Sequence, residues 1–402
     1  RGDYDGYNEC WGGLPAFREA IRSYQQREAL VTLYTDPYRL DENCETGRAH
    51  GQEWCVVDQT GKLSTGYEVY NPCYDLPEVR RWAAATMERV MRETGADGIR
   101  LDEVGHRGWA CYNPDHHHTF QEPGITQWQK AATEMVKMVR AGMDRVRPDL
   151  VLTTEFPGYD YMMPYLEGAI TYDLSVMATP LRPLECNLQR FYFPECKPYE
   201  LDQQGRDPQF RKLFWNGADS FERYFPLRFA TILNENEAAY QGRDSTPLLS
   251  TPGQAPGVYV NRFADGEKTL YHCYNASGFT HDGTVLAVGL TPEQHLFDLL
   301  GCEEATVRAR SAQGVAVALY LLRNDVGCLV RLPRRLAVTH HGDEARVVVS
   351  RPPVGAHLVL ADREGRWLLE QEARAGLNTV PLARLTVPGA PSCVKLMAGR
   401  RL

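Results

Sequence analysis

The stretch Gly95-Ala-Asp-Gly-Ile-Arg-Leu-Asp-Glu-Val-Gly-His106 decides how this chain is read. Gly95 ends a helical pattern, because glycine enters the left-handed backbone of a helix C-terminus without a side-chain penalty. Gly98 to Asp102 then reads as a short buried strand. Side chains alternate along a strand, so Arg100 and Asp102 project from the same face. A guanidinium so placed holds the carboxylate ionised and aimed. A second strand of the same kind, Leu150 to Glu155, also ends on a carboxylate.

Outward from these two strands the pattern alternates apolar runs with amphipathic segments. Leu14 to Glu28 reads as a helix with Pro15 in its first turn, and Ala29 to Tyr34 as a buried strand ending at Asp36-Pro37. A long polar loop follows, from Tyr38 to about Tyr74, and loops of that length are usually functional. Asp75 reads as an N-cap, with Pro77 inside the helix that runs to Gly95. Gly124 to Arg147 is a helix closed by Pro148. Ala169 to Asp173 is a further strand, Leu188 to Phe193 and Lys212 to Trp215 are weaker strand candidates, and Leu227 to Tyr240 is a final helix.

Strands linked by crossover helices form parallel sheets. Carboxylates recur at the C-terminal ends of these strands: Asp36, Asp102, Glu155 and Asp173. In a (β/α)8 barrel that rim carries the active site. The glycine-rich phosphate fingerprint often found in a doubly wound sheet is absent. The expectation is an α/β chain whose residues 1–255 form a TIM barrel, N-terminally truncated because only about six of its eight strands are legible. After Thr251 the runs become short and β-branched. Residues 256–335 read as a β-sandwich, through Val258 to Phe263, Lys268 to Tyr274 and Val315 to Leu322. Residues 336–402 read as a small β domain or its continuation.

Several function classes drop out. A net charge of -8 makes nucleic acid and anionic membranes poor partners, since both attract basic patches. No apolar run approaches the roughly 20 residues that span a bilayer. The 11 cysteines are an odd count without a C-x-x-C pair, so neither a zinc ribbon nor a disulfide framework is expected. Asp115-His-His-His118 reads as a solvated or substrate-facing loop, since consecutive residues do not converge easily on one ion. No metal and no cofactor is expected. Asn275-Ala-Ser277 fits a glycosylation sequon, a tripeptide common by chance.

The carboxylates suit glycoside cleavage, which passes through an oxocarbenium-like state and needs one ionised and one protonated acid. Asp102 beside Arg100 fits the ionised role. Glu155, flanked by Leu152 and Phe156, fits the general acid. Glu103 with Glu195, or Asp173 in place of Glu155, are competing pairs. Aromatic residues crowd the loops, Trp109 and Tyr159 among them, and sugars stack their C–H faces on such rings.

Gly98, Arg100, Asp102 and His106 resemble the fourth-strand segment of the alpha-amylase superfamily, where G-x-R-x-D is followed four residues on by histidine. The resemblance implies that Asp102 is a nucleophile attacking the anomeric carbon and that Glu155, at the fifth strand, is the acid/base. It also implies a retaining reaction on an alpha linkage. Asp36, His106 and Asp173 are expected to contact or position the sugar. The superfamily's asparagine-histidine pair after strand three is replaced here by Thr35-Asp36-Pro37. A broader likeness, carried by Phe193-Pro-Glu195 and Val260-Asn-Arg-Phe263, is to uncharacterised bacterial proteins of glycosyl hydrolase type. The expected function is cleavage of O-glycosidic bonds in an oligo- or polysaccharide. A non-catalytic carbohydrate-binding barrel and a metal-dependent sugar isomerase or epimerase are the alternatives.

Overall fold

The computed structural model describes residues 2–105, 108–120, 125–156, 158, 160–171, 186–200, 207–220, 224–311, 314–382 and 393–399. They divide into two compact units. One is Arg1–Thr171 with Glu195–Pro198, and the other is Tyr172–Pro194 with Tyr199–Leu402. The division falls inside the segment read from sequence as barrel.

The first unit is a parallel α/β layer. Strands β1 (Thr32–Thr35), β2 (Gly98–Leu101), β3 (Val151–Thr154) and β4 (Gly168–Thr171) lie side by side in that order. Leu101 pairs with Thr35 on one side and Thr154 on the other. Strand β5 (Lys197–Glu200) begins in this unit and ends in the second. Ile99, Leu101 and Leu152 are fully buried on one face of the sheet. The helices are α1 (Gly13–Gln25), α2 (Glu45–Trp54), α3 (Pro77–Thr94) and α4 (Ile125–Val146). Pro77 opens α3, and Gly95 closes it in the left-handed conformation at φ 69°. Val79, Ala83, Met87 and Val90 form the buried stripe of α3, which packs along α4. Each large apolar side chain so buried contributes roughly 1.5–3 kcal/mol.

Two expectations change here. The long loop after β1 contains α2 and a small hairpin, Thr65–Gly66 with Val69–Tyr70. The buried face of α2 is Gly47, Gly51 and Trp54, so it lacks the apolar periodicity that marks a helix in sequence. Asp75 is not the cap of α3. Leu76 holds that position, and the Asp75 carboxylate turns away to accept from Thr119 N and Phe120 N, both at 3.1 Å, and from Gln127 Nε2 at 2.6 Å.

In the second unit, the two weak strand candidates prove helical, as Leu188–Tyr192 and within Asp207–Trp215. Their aromatic residues, read as β-formers, bury Phe191, Phe214 and Trp215 in a helical core. The expected helix Leu227 to Tyr240 is broken at Asn236 into Leu227–Glu235 and Glu237–Gln241. An antiparallel sheet follows, with Lys268–Asn275 near its centre between Val258–Asp265 and Val326–Pro333. That strand is buried along its whole length. Leu270 and Tyr274 join the helical core, and Tyr271 and Cys273 join a second core with Val285, Leu286 and Val317. The latter three lie on the sheet formed by His281–Val288, Gly314–Leu321 and Thr306–Ser311. Two three-stranded sheets end the chain and share a core of Val347, Val349, Leu358, Leu360 and Val380. Asn275 is fully buried, and its amide donates to Phe279 O, Leu321 O and Leu322 O. The sequon therefore cannot carry a glycan in the folded protein.

Candidate functional site

The parallel register sets three acidic residues in one row. Thr35, Leu101 and Thr154 are paired neighbours, so the next residues, Asp36, Asp102 and Glu155, follow at the C-terminal ends of adjacent strands. The strands can approach so closely because of Gly98. A Cβ there would meet Val151 O at 2.1 Å, which explains the glycine of the G-x-R-x-D pattern.

Asp102 is held from two sides. Arg100 Nη2 donates to Asp102 Oδ1 at 2.7 Å, and the Tyr34 hydroxyl donates to Oδ2. Tyr34 and Arg100 are register partners, and the guanidinium lies over the Tyr34 ring, 5.4 Å from its centroid. Burial, together with the hydrogen bond to Asp102, pushes the Tyr34 phenol above its ordinary pKa, so it remains a donor. The Asp102 side chain retains 16% exposure, enough to meet a ligand while both partners stay engaged.

Glu155 is positioned by backbone. Its own N–H bonds Leu101 O at 3.0 Å, and its Oε2 accepts the Glu103 N–H at 3.0 Å. Glu103 reaches that geometry with a φ of 58°, a conformation non-glycine residues seldom adopt. The loops after β2 and β3 run together past this point. Phe156 N bonds Val104 O, and a Cβ on Gly105 would strike Phe156 O at 2.4 Å.

Glu103 itself turns inward. Its carboxylate meets Arg39 Nη2 at 2.6 and 2.8 Å, and both side chains are almost wholly buried. Arg39 Nη1 also donates to Asn71, and the guanidinium lies 4.9 Å from the Tyr67 centroid and 5.3 Å from that of Trp109. Trp109 packs edge-on against Tyr38 and Trp128. It is thus a half-buried wall of the loop cluster. Asp36 is buried, and its N–H donates to the Tyr4 hydroxyl at 2.5 Å.

The structure therefore brings together Asp36, Arg100, Asp102, Glu103 and Glu155. It does not bring Glu195 to them. Glu195 is exposed and precedes β5, whose Lys197 N–H bonds Glu167 O just ahead of β4, among the N-terminal ends of the strands. His106, Tyr159 and Asp173 lie outside the described residues. Sequence reading missed Tyr34 and Arg39 as site residues. Tyr34 had a signal, since it stands two residues before Asp36 on a strand. Arg39 had none, because its partner is distant in the chain.

Residues 3–179 match a family model described as a domain of unknown function, DUF6259. No curated protein matches the chain. Among solved structures, the chain is similar to the alpha-amylase from Geobacillus thermoleovorans complexed with acarbose, at 15% identity and TM-score 0.55, over 83% of this chain and 84% of that one. The alpha-amylase from H. orenii aligns at 14% identity and TM-score 0.56, over 81% and 85%. The Nostoc punctiforme debranching enzyme aligns at 16% identity and TM-score 0.51, over 79% of each chain. The fold is thus one that glycoside hydrolases use, a parallel α/β layer joined to antiparallel β sheets.

Proposed function

We propose that the protein is a retaining glycoside hydrolase acting on an oligo- or polysaccharide, with Asp102 as nucleophile and Glu155 as acid/base. The observation that carries this reading is that the two carboxylates follow the paired residues Leu101 and Thr154 and so stand at the same level on adjacent strands. Neighbouring strands lie about 4.8 Å apart. Adjacent strand ends allow two carboxyl groups to stand the roughly 5–5.5 Å apart that a retaining double displacement requires.

The surroundings support different roles for the two acids. Asp102 accepts from a guanidinium on one oxygen and from a phenol on the other, which fixes the direction of its carboxylate. Glu155 receives one backbone N–H on one oxygen, which orients the carboxyl group. In the proposed reaction Glu155 protonates the leaving oxygen as Asp102 attacks the anomeric carbon. The glycosidic bond breaks and a glycosyl ester forms on Asp102. Glu155 then takes a proton from water, whose oxygen displaces Asp102 and releases the sugar. An alpha linkage is what the resemblance of Gly98, Arg100, Asp102 and His106 to the alpha-amylase superfamily's fourth-strand segment implies.

The test is proton NMR of the first-formed product from alpha- and beta-linked oligosaccharides. Hydrolysis of alpha-linked substrate with retained configuration supports the reading. Initial formation of the inverted anomer would remove the nucleophile role of Asp102, and binding without turnover would leave a carbohydrate-binding module.

A further inference from the structure

The loop between β2 and α4 carries Cys111, His116 and His118, and the fold brings Cys73, from the segment ahead of α3, against them. The four ligand atoms lie within 4.8 Å of one another, and both cysteines are buried. We propose that Cys73, Cys111, His116 and His118 bind one structural zinc ion, which fixes this loop beside the Asp102 row.

The residue types and their number fit that ion. Two thiolates and two imidazoles form the tetrahedral set of structural zinc sites, and four protein ligands leave no open position for catalysis. Bond lengths of about 2.3 Å to sulfur and about 2.0 Å to nitrogen put the ligand atoms of such a site roughly 3.3–3.8 Å apart. Cys111 Sγ and His116 Nδ1 are already 3.3 Å apart. The remaining distances need only side-chain adjustment to reach that range.

The supporting contacts orient the ligands as a zinc site requires. His116 Nε2 lies 2.7 Å from the Glu53 carbonyl. A carbonyl only accepts, so Nε2 carries a proton, and Nδ1, 3.3 Å from Cys111 Sγ, is the nitrogen placed to ligate a metal. A backbone carbonyl in this role fixes the tautomer of many metal-bound histidines. His118 Nε2 is buried and has no hydrogen-bond partner among the described residues. An unpartnered imidazole nitrogen of this kind is costly unless something ligates it. The i, i+2 spacing sends His116 and His118 to one side of the chain and leaves His117 exposed. Beyond His118, the Asp75 carboxylate pins Thr119 and Phe120, and Cys73 N–H bonds Trp54 O at 2.7 Å. The four ligands thus sit on backbone that is anchored independently of them.

Zinc binding would displace the two thiol protons to solvent as the Zn–S bonds form. The ion would tie the segment ahead of α3 to the loop that carries Trp109. The inference does not depend on the hydrolase reading.

The experiment is metal analysis of the full chain, expressed with zinc and desalted. The expected result is one equivalent of zinc, falling about tenfold or more in Cys111→Ser and in His118→Ala, and unchanged in His117→Ala. Cobalt in place of zinc should show the tetrahedral visible bands and a thiolate charge-transfer band. The wild-type measurement decides even where a variant fails to fold. Folded wild-type chain that retains no metal after incubation with zinc, or a peptide map linking Cys73 to Cys111 by a disulfide, would overturn the proposal.

Discussion

Glu103 donates its backbone N–H to Glu155 while its own carboxylate is held by Arg39. One residue thereby links the buried base of the long loop to the carboxylate proposed as acid/base. The left-handed backbone of Glu103 makes both contacts possible, because it turns the N–H across to the neighbouring strand end as the side chain goes inward. Strain of this kind persists where the surrounding contacts fix it.

If Asp102 and Glu155 have the proposed roles, their amides should keep the fold and lose turnover in different ways. Asp102→Asn should reduce kcat at least about 10⁴-fold on every substrate. Glu155→Gln should cost about 10²- to 10⁴-fold on a substrate with a poor leaving group, and less on an activated aryl glycoside that needs no protonation. Steady-state kinetics on both substrate classes distinguish the two. Equal losses for Glu155→Gln on both would remove the general-acid assignment.

Tyr34 tests the positioning of Asp102. Tyr34→Phe deletes one hydroxyl from a side chain that is about half exposed. Its effect on stability should not exceed the roughly 1.5–3 kcal/mol of a hydrogen bond to a charged group. Loss of that bond should lower kcat roughly 10- to 100-fold. KM should change little. An unchanged kcat would reduce Tyr34 to a packing residue.

Arg39→Met should act mainly on folding. It leaves the Glu103 carboxylate buried without this cation, and removing one partner of a buried pair costs about 3–5 kcal/mol. Arg39→Lys should recover little, because an ammonium cannot reproduce the contacts to Glu103 and Asn71 or lie flat between Tyr67 and Trp109. Urea denaturation of both variants checks this. Adding Glu103→Gln to Arg39→Met should restore part of the loss, and full additivity would show that the two side chains are not coupled.

The limits of sequence reading follow the range of the interactions involved. Gly98 to Asp102 and Leu150 to Glu155 were legible because strand pattern, terminal carboxylate and flanking helices all lie within a few residues. Asp75 was misread as a cap because its local context, Asp before Leu-Pro-Glu, matches a helix start, and its actual partners begin at Thr119. Phe191 and Trp215 were misread because aromatic runs fit a half-buried strand as well as a helix inside a core. The Arg39–Glu103 pair and the meeting of Cys73 with Cys111 join distant segments, and no spacing rule brings such residues together before the fold is known.

His272 makes a prediction about pH in the second unit. It is fully buried, with Nδ1 2.6 Å from Phe214 O and Nε2 2.7 Å from the Tyr240 hydroxyl. The carbonyl accepts, so Nδ1 bears the proton and Nε2 accepts from the phenol, a neutral imidazole with both nitrogens satisfied. Burial pushes its pKa down to about 3, against about 6.5 in an unfolded chain. Between those values the unfolded state binds more protons than the folded one, so folding stability is highest above the unfolded pKa and falls as the pH drops. The slope from this one group approaches about 1.4 kcal/mol per pH unit once the pH is well below 6.5. Urea midpoints measured from pH 7 to pH 4 should decline, and His272→Gln, whose amide can donate to Phe214 O and accept from Tyr240, should flatten that decline. Parallel curves for the two proteins would mean that His272 protonates freely in the folded state and that the acid sensitivity lies elsewhere.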